Sequence, residues 1–246
     1  MNLAAFLEKS ALHFGERPAL AVGHDVLSSY RQKAGRVARL AGGLLNSSLS
    51  PGGRIAIAMT NCPEYSDVLF ATWHAGAIAV PMNAKLHSRE FAYMLNHSGA
   101  QICFVTENLE PAIREAAAEI NSKLEIFVTK SREYDSLLAG DPVTSAEISP
   151  DATAWIFYTS GTTGLPKGAM LSHRNLLMMT VSYFGDVDVV DETENILHAA
   201  PMSHGSGLYI LPYVAKGACQ IIPETGGFDP SETLELLRTH KNVGCF

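Results

Sequence analysis

The chain has 246 residues, 47% of them hydrophobic and 17% charged, with a formal net charge of −7. That balance describes a globular protein with enough chain for a sizeable core in one large or two small domains, and it excludes a disordered polymer. Basic residues are scattered rather than clustered, which argues against nucleic-acid binding. Cys62, Cys103, Cys219 and Cys245 show no C-x-x-C pair and no metal-ligand spacing, the pattern of free, buried thiols in a reducing compartment. The apolar start at 3–7 stops at Glu8, too short for a secretory signal, and no run approaches the ~20 apolar residues of a transmembrane helix. The expected location is the cytoplasm.

In chain order, Ser29 with Gln32 forms a capping box, and Tyr30, Ala34, Val37, Ala41 and Leu44 follow at helical spacing. Residues 54–59 read as a buried strand, Pro63 and Glu64 as a first helical turn, and Gly76 as its stop. A strand at 77–80 precedes a helix capped by Ser88 and ended near Gly99. Strands at 102–105 and 125–128 flank a helix with Ile113, Ala116, Ala117 and Ile120 on one face. The segment 140–150, rich in Pro, Ser and Gly, reads as a linker between sub-regions at 1–139 and 151–246. Beyond it come a strand ending at Tyr158, a helix near 175–184 started by Ser172, strands near 195–199 and 218–222, an apolar segment at 208–215 and a helix at 231–239. Alternation of short apolar strands with helices predicts an α/β fold of mostly parallel, doubly wound sheets covered on both faces.

One stretch carries chemistry. "YTSGTTGLPKG", 158–168, puts five hydroxyl side chains, three glycines and a lysine into eleven positions. Gly161 and Gly164 let successive N–H groups turn inward as an anion-binding nest. Thr159, Ser160, Thr162 and Thr163 add neutral donors, and Lys167 adds a mobile positive charge suited to a polyphosphate. A surface turn of the same composition is the plain alternative, and spacing decides against it. Gly161 to Lys167 has the Walker A interval, but Pro166 replaces the second glycine and Gly168 the magnesium-binding hydroxyl, so this is not a P-loop NTPase. A phosphate loop between a strand and a helix start is the expected setting.

Continued by "AMLSHRNL", the stretch resembles the signature of the AMP-forming adenylating enzymes: acyl-CoA synthetases, peptide-synthetase adenylation domains and beetle luciferases. "PMSHGSG" at 201–207 is similar to that family's P-x-x-H-x-x-G segment near the acyl pocket, and "WHAGAIAVPMN" at 73–83 to its helix-to-strand passage. The resemblance covers essentially the whole chain. It implies the N-terminal part of the large adenylate-forming domain, with ATP, Mg²⁺ and CoA as partners of a carboxylic acid. It places Thr159, Ser160, Gly161, Thr162, Thr163, Gly164 and Lys167 on the ATP phosphates and His204 at the acyl pocket, and it assigns no residue of this chain to the chemical step. The isolated start and the His204 segment favour an acyl-CoA synthetase. A peptide-synthetase or luciferase-like enzyme shares the loop, and a non-catalytic nucleotide-binding or scaffolding fragment is the reading from another class.

Other candidates have blander roles. His198 and His204 lack a third ligand for zinc, and His173 sits at a helix start. Trp73, Trp155 and the Met178 and Met179 pair suit cores, and the acidic run from Asp186 to Glu194 suits a solvated turn. The family's Y-G-x-T-E-like segment, ribose-binding aspartate, hinge and small C-terminal domain with its catalytic lysine have no match here. "NVGCF" at 242–246 reads as a buried strand just begun. The expectation is a truncated chain that binds ATP weakly or not at all by itself.

Overall fold

A computed structural model describes residues 1–120, 123–159 and 165–245. Residues Ala4–His13 form helix α1, and Pro18–Val22 and Asp25–Ser29 form antiparallel strands β1 and β2, joined at Gly23 with φ +53°. These three are short and weakly patterned, and periodicity does not announce them. Helix α2 (Tyr30–Leu45) starts as its sequence dictates: Gln32 N donates to Ser29 Oγ at 3.3 Å and Ser29 N to Gln32 Oε1 at 2.9 Å. Then come β3 (Arg54–Ala58), α3 (Pro63–His74), β4 (Ile78–Pro81) and α4 (Ser88–Ser98). The cap of α4 is His87 rather than Ser88: Glu90 Oε2 accepts from His87 N at 2.9 Å, and Ser88 is the first helical residue. Gly76 and Gly99, at φ +74° and +65°, take the left-handed conformation that ends these helices.

Strands β5 (Ile102–Val105) and β6 (Glu125–Val128) enclose α5 (Glu110–Ala118), and α6 (Arg132–Leu138) follows. The second half comprises β7 (Thr153–Thr159), β8 (Lys167–Ser172), α7 (His173–Asp186), β9 (Asn195–Leu197), α8 (Gly205–Ala215), β10 (Cys219–Ile222), α9 (Pro230–Thr239) and β11 (Val243–Cys245).

The described strands form two sheets. One has the order β11-β9-β10-β1-β2 and the other β6-β5-β3-β4-β7-β8; every neighbouring pair is parallel except β1 with β2 and β7 with β8. Each sheet takes strands from both sides of 140–150. That segment runs over α2 and α3, where Val143 N donates to Ala38 O at 3.3 Å and Ala146 N to His74 O at 2.9 Å. Strand periodicity sorts the cores: Ile55, Ile57, Ile102 and Phe104 face a cluster shared by both sheets with α1, α2, α3 and α8. Ala56, Ala58, Cys103 and Val105 face α4 and α5 on the opposite side. Leu236 of α9 covers the outer face of the first sheet with Ala21, Leu197 and Ile221. β11 lies at a sheet edge, and its residues are half-buried to exposed rather than enclosed.

Candidate active site

The phosphate-type stretch is carried on a hairpin. β7 and β8 pair antiparallel, with Tyr158 opposite Gly168 and Thr159 opposite Lys167. The expected strand-loop-helix is therefore corrected to strand-loop-strand. Helix α7 begins only after β8, capped by Ser172, whose Oγ accepts from Asn175 N at 3.1 Å. β8 is an edge strand with Met170 69% exposed, and its composition hides it: its strand character comes from backbone pairing to β7 rather than from an apolar face. Ser160, Gly161, Thr162, Thr163 and Gly164 lie outside the described residues. Thr159 and Lys167 are described; directly opposite residues of an antiparallel pair share a face, so the hydroxyl and the ammonium sit together at the mouth of the hairpin.

Packing explains Gly168. A Cβ there would stand 2.8 Å from Ile156 Cγ2 and 3.3 Å from the Tyr158 ring, so the ring lies against bare backbone. Burial pushes the Tyr158 phenol up to about 12, and it stays protonated as it meets His97 Nδ1 at 2.8 Å. Tyr93 Oη donates to Pro166 O at 3.1 Å.

Beside the hairpin is a cavity of about 370 Å³ bounded by Thr159, Pro166, Phe157, Asn83, Glu90 and His204. His204 immediately precedes α8, exposed, its ring 5.2 Å from that of Phe157. Its turn is built by close approach: a Cβ on Gly207 would fall 1.8 Å from Met202 O, so only glycine closes it. The turn is also fastened from the other sheet. Asn61, just beyond β3, donates through Nδ2 to His198 O and Ala200 O, both at 2.8 Å, and its Oδ1 accepts from Met202 N at 2.8 Å. Asn83 and Ser203 also border a second, wider cavity of about 830 Å³ at the carboxyl ends of strands from both sheets, with Lys85, Asn108 and Phe228 in its wall. Crevices at the carboxyl ends of parallel strands are where α/β folds bind ligands. Sequence patterning points to the hairpin and His204 but not to Asn83, Glu90, Tyr93 or His97, which look like ordinary helix-surface and loop residues. The one available signal is that Glu90, Tyr93 and His97 recur at helical spacing, turned from the buried Phe91 and Leu95.

The remaining candidates are structural. His198 is buried, with Nδ1 2.7 Å from Ser206 Oγ; burial, then the nearby Lys33 charge, lower its pKa to about 4. His173 is the first residue of α7 and accepts at Nδ1 from Leu3 N at 3.2 Å; burial and then the N-terminal ammonium lower it to about 4. Trp73 and Trp155 are fully buried, whereas Met178, expected in a core, is 54% exposed. Cys103 is buried, Cys62 and Cys219 are half-buried and Cys245 is exposed, so the expectation of uniformly buried thiols is only partly met. Among the described residues no three His, Cys, Asp or Glu side chains converge on a metal position, and no helix is long and apolar enough to cross a membrane.

The model of one family, described as "AMP-binding enzyme", matches residues 7–243. The chain belongs to that family. It is 34% identical over 227 residues to a feruloyl-CoA synthase of Amycolatopsis sp, covering 91% of this chain and 44% of that protein. It is 30% identical over 247 residues to a long-chain-fatty-acid–CoA ligase of Thermus thermophilus, covering 96% and 45%. The chain thus spans under half the length of these curated relatives. Among solved structures it superposes on a long-chain-fatty-acid–CoA ligase from Archaeoglobus fulgidus with a TM-score of 0.90 and 21% identity, over 98% of this chain and 50% of that one, which shows a shared fold.

Proposed function

We propose that the complete protein carrying this chain is an ATP-dependent, AMP-forming carboxylic acid–CoA ligase, acting in the cytoplasm on a fatty acid or a related acid. The observation that carries this reading is the register of the hairpin: Thr159 and Lys167 stand opposite each other at its mouth, beside the cavity that His204 borders. In the first half-reaction the carboxylate attacks the α-phosphorus of ATP, and the bond to the bridging oxygen of pyrophosphate breaks. Negative charge grows on the leaving group, and a preorganised cation and hydroxyl donors stabilise it. Lys167 supplies that cation, and Thr159 donates to a phosphate oxygen. Mg²⁺ takes oxygen ligands and keeps several waters, and the Thr159 hydroxyl and the Glu90 carboxylate on the small cavity are donors of that kind. When bound it neutralises phosphate charge.

His204, its ring 5.2 Å from and tilted against that of Phe157, is assigned to the acyl end of the same cavity that Thr159 borders. In the second half-reaction the sulfur of CoA forms a bond to the acyl carbon and AMP leaves. The wider cavity meets the first at Asn83 and Ser203 and gives a second substrate a route to the same point.

Exchange of labelled pyrophosphate into ATP by the complete protein, over a panel of aromatic and fatty acids with and without CoA, tests the reading. Acid-dependent exchange followed by thioester formation is expected. Acyl-adenylate without transfer to CoA would move the assignment to a peptide-synthetase or luciferase-like activity, and absence of exchange with every acid would leave a non-catalytic nucleotide-binding protein.

A further inference from the structure

Both ends of the hairpin mouth are tied to one helix. Tyr93 and His97 lie one turn apart on α4, and their rings stack with centroids 5.3 Å apart and planes 17° from parallel. Tyr93 reaches the returning side of the hairpin at Pro166 O, 3.1 Å away, one residue before Lys167. His97 reaches the outgoing side at Tyr158 Oη, 2.8 Å away, one residue before Thr159. The Tyr158 ring is wedged between the edge of His97, at 5.8 Å between centroids, and the bare backbone of Gly168. On the next turns of the same helical face, Glu90 and Met94 border the small cavity. Meanwhile Phe91 and Leu95 anchor α4 on the sheet, fully buried.

We propose that Tyr93 and His97 are positioning residues, a two-point clamp by which α4 holds Thr159 and Lys167 in register for the triphosphate. The proposal rests on the nucleotide-binding reading above. Among the described residues β8 is an edge strand paired to the sheet through β7 alone, so its own ladder restrains it from one side. A hydrogen bond at each arm of the hairpin supplies a restraint that the sheet does not. Ordering the site before the nucleotide arrives lowers the conformational cost of binding it. The effect of losing the clamp should therefore fall on ATP and spare the acid.

The test uses the complete protein with Tyr93→Phe, which keeps the ring stack and deletes one hydroxyl, with His97→Leu, and with both. His97→Asn serves as the conservative variant, since its side-chain amide can again meet the phenol. Two readouts separate the clamp from the function. In the ligand-free protein, amide hydrogen exchange over 157–159 and 167–169 should accelerate by about fivefold per lost hydrogen bond, while β3 and β5 keep their protection. In pyrophosphate exchange the KM for ATP should rise by about fivefold per variant, with the KM for the acid within about twofold of wild type and His97→Asn nearer to wild type than His97→Leu. Unchanged protection of the hairpin overturns the clamp. So does a parallel rise in both KM values, which would mark general loosening. If the wild-type protein neither binds nor turns over ATP, the functional reading fails, and the hydrogen-exchange arm still decides whether α4 holds the hairpin.

Discussion

Two lysines mark the contrast between the interior and the crevice. Lys33 of α2 is 1% exposed; its Nζ donates to Asp67 Oδ1 at 2.5 Å and Ser66 Oγ at 2.7 Å on α3, and Arg36 Nε meets Asp67 Oδ2 at 2.9 Å. Every bond of that ammonium stays inside the protein. Lys167 is exposed at the hairpin mouth, with no ion pair among the described residues. A buried charge must be neutralised by its neighbours, because desolvation leaves it no other partner, whereas an exposed charge beside a crevice remains available to a ligand. The same residue type therefore serves folding in one region and binding in the other.

The largest expected effect separates the two. Lys33→Met strands the Asp67 carboxylate with Arg36 alone and should lower stability by about 3 kcal/mol, read by chemical denaturation, with the KM for ATP unchanged. Replacing both Lys33 and Asp67 with apolar residues should recover part of that loss; no recovery would mean that packing rather than charge sets the cost. Lys167→Ala should do the reverse. Adenylation should slow by the equivalent of about 2–4 kcal/mol, roughly 30- to 1,000-fold, while stability moves by less than about 0.5 kcal/mol. Wild-type kinetics at limiting and saturating ATP would break the comparison.

Acid titration sharpens it further. His173 and His198 are held neutral, both lowered to about 4 from an ordinary 6.5. As pH falls, the unfolded chain takes up these protons first, so their contribution is complete above about pH 6.5 and is lost between there and about pH 4. The loss is on the order of 3 kcal/mol for each. His198→Gln should flatten that part of the stability-pH curve, and an unaltered slope would count against a neutral buried imidazole. Smaller still, Gly168→Ala should cost about 1–3 kcal/mol of stability by overpacking Tyr158 and Ile156, measured by thermal unfolding. It should also raise the KM for ATP, because the displaced ring carries the strand next to Thr159.

Most of the framework was legible in the chain. The capping box of α2 and the buried strand β5 follow from local rules: a side chain within three residues satisfies an orphan N–H, and a short apolar run must be enclosed on both faces. In the hairpin and in the turn before α8, glycine stands where a ring or backbone comes too close for a Cβ, at Gly168 and Gly207. Tertiary structure alone decided the rest. β8 became a strand because β7 offers it a ladder, not because KGAMLS prefers one, and it fills the interval before the helix start that Ser172 marks in the sequence. β1 and β2 joined β9, β10 and β11 from the far end of the chain. Packing of the two sheets against each other placed the Asn61 strut beneath the His204 turn, and pairing of β4 with β7 brought the hairpin against α4, contacts between residues far apart in sequence that no local pattern encodes.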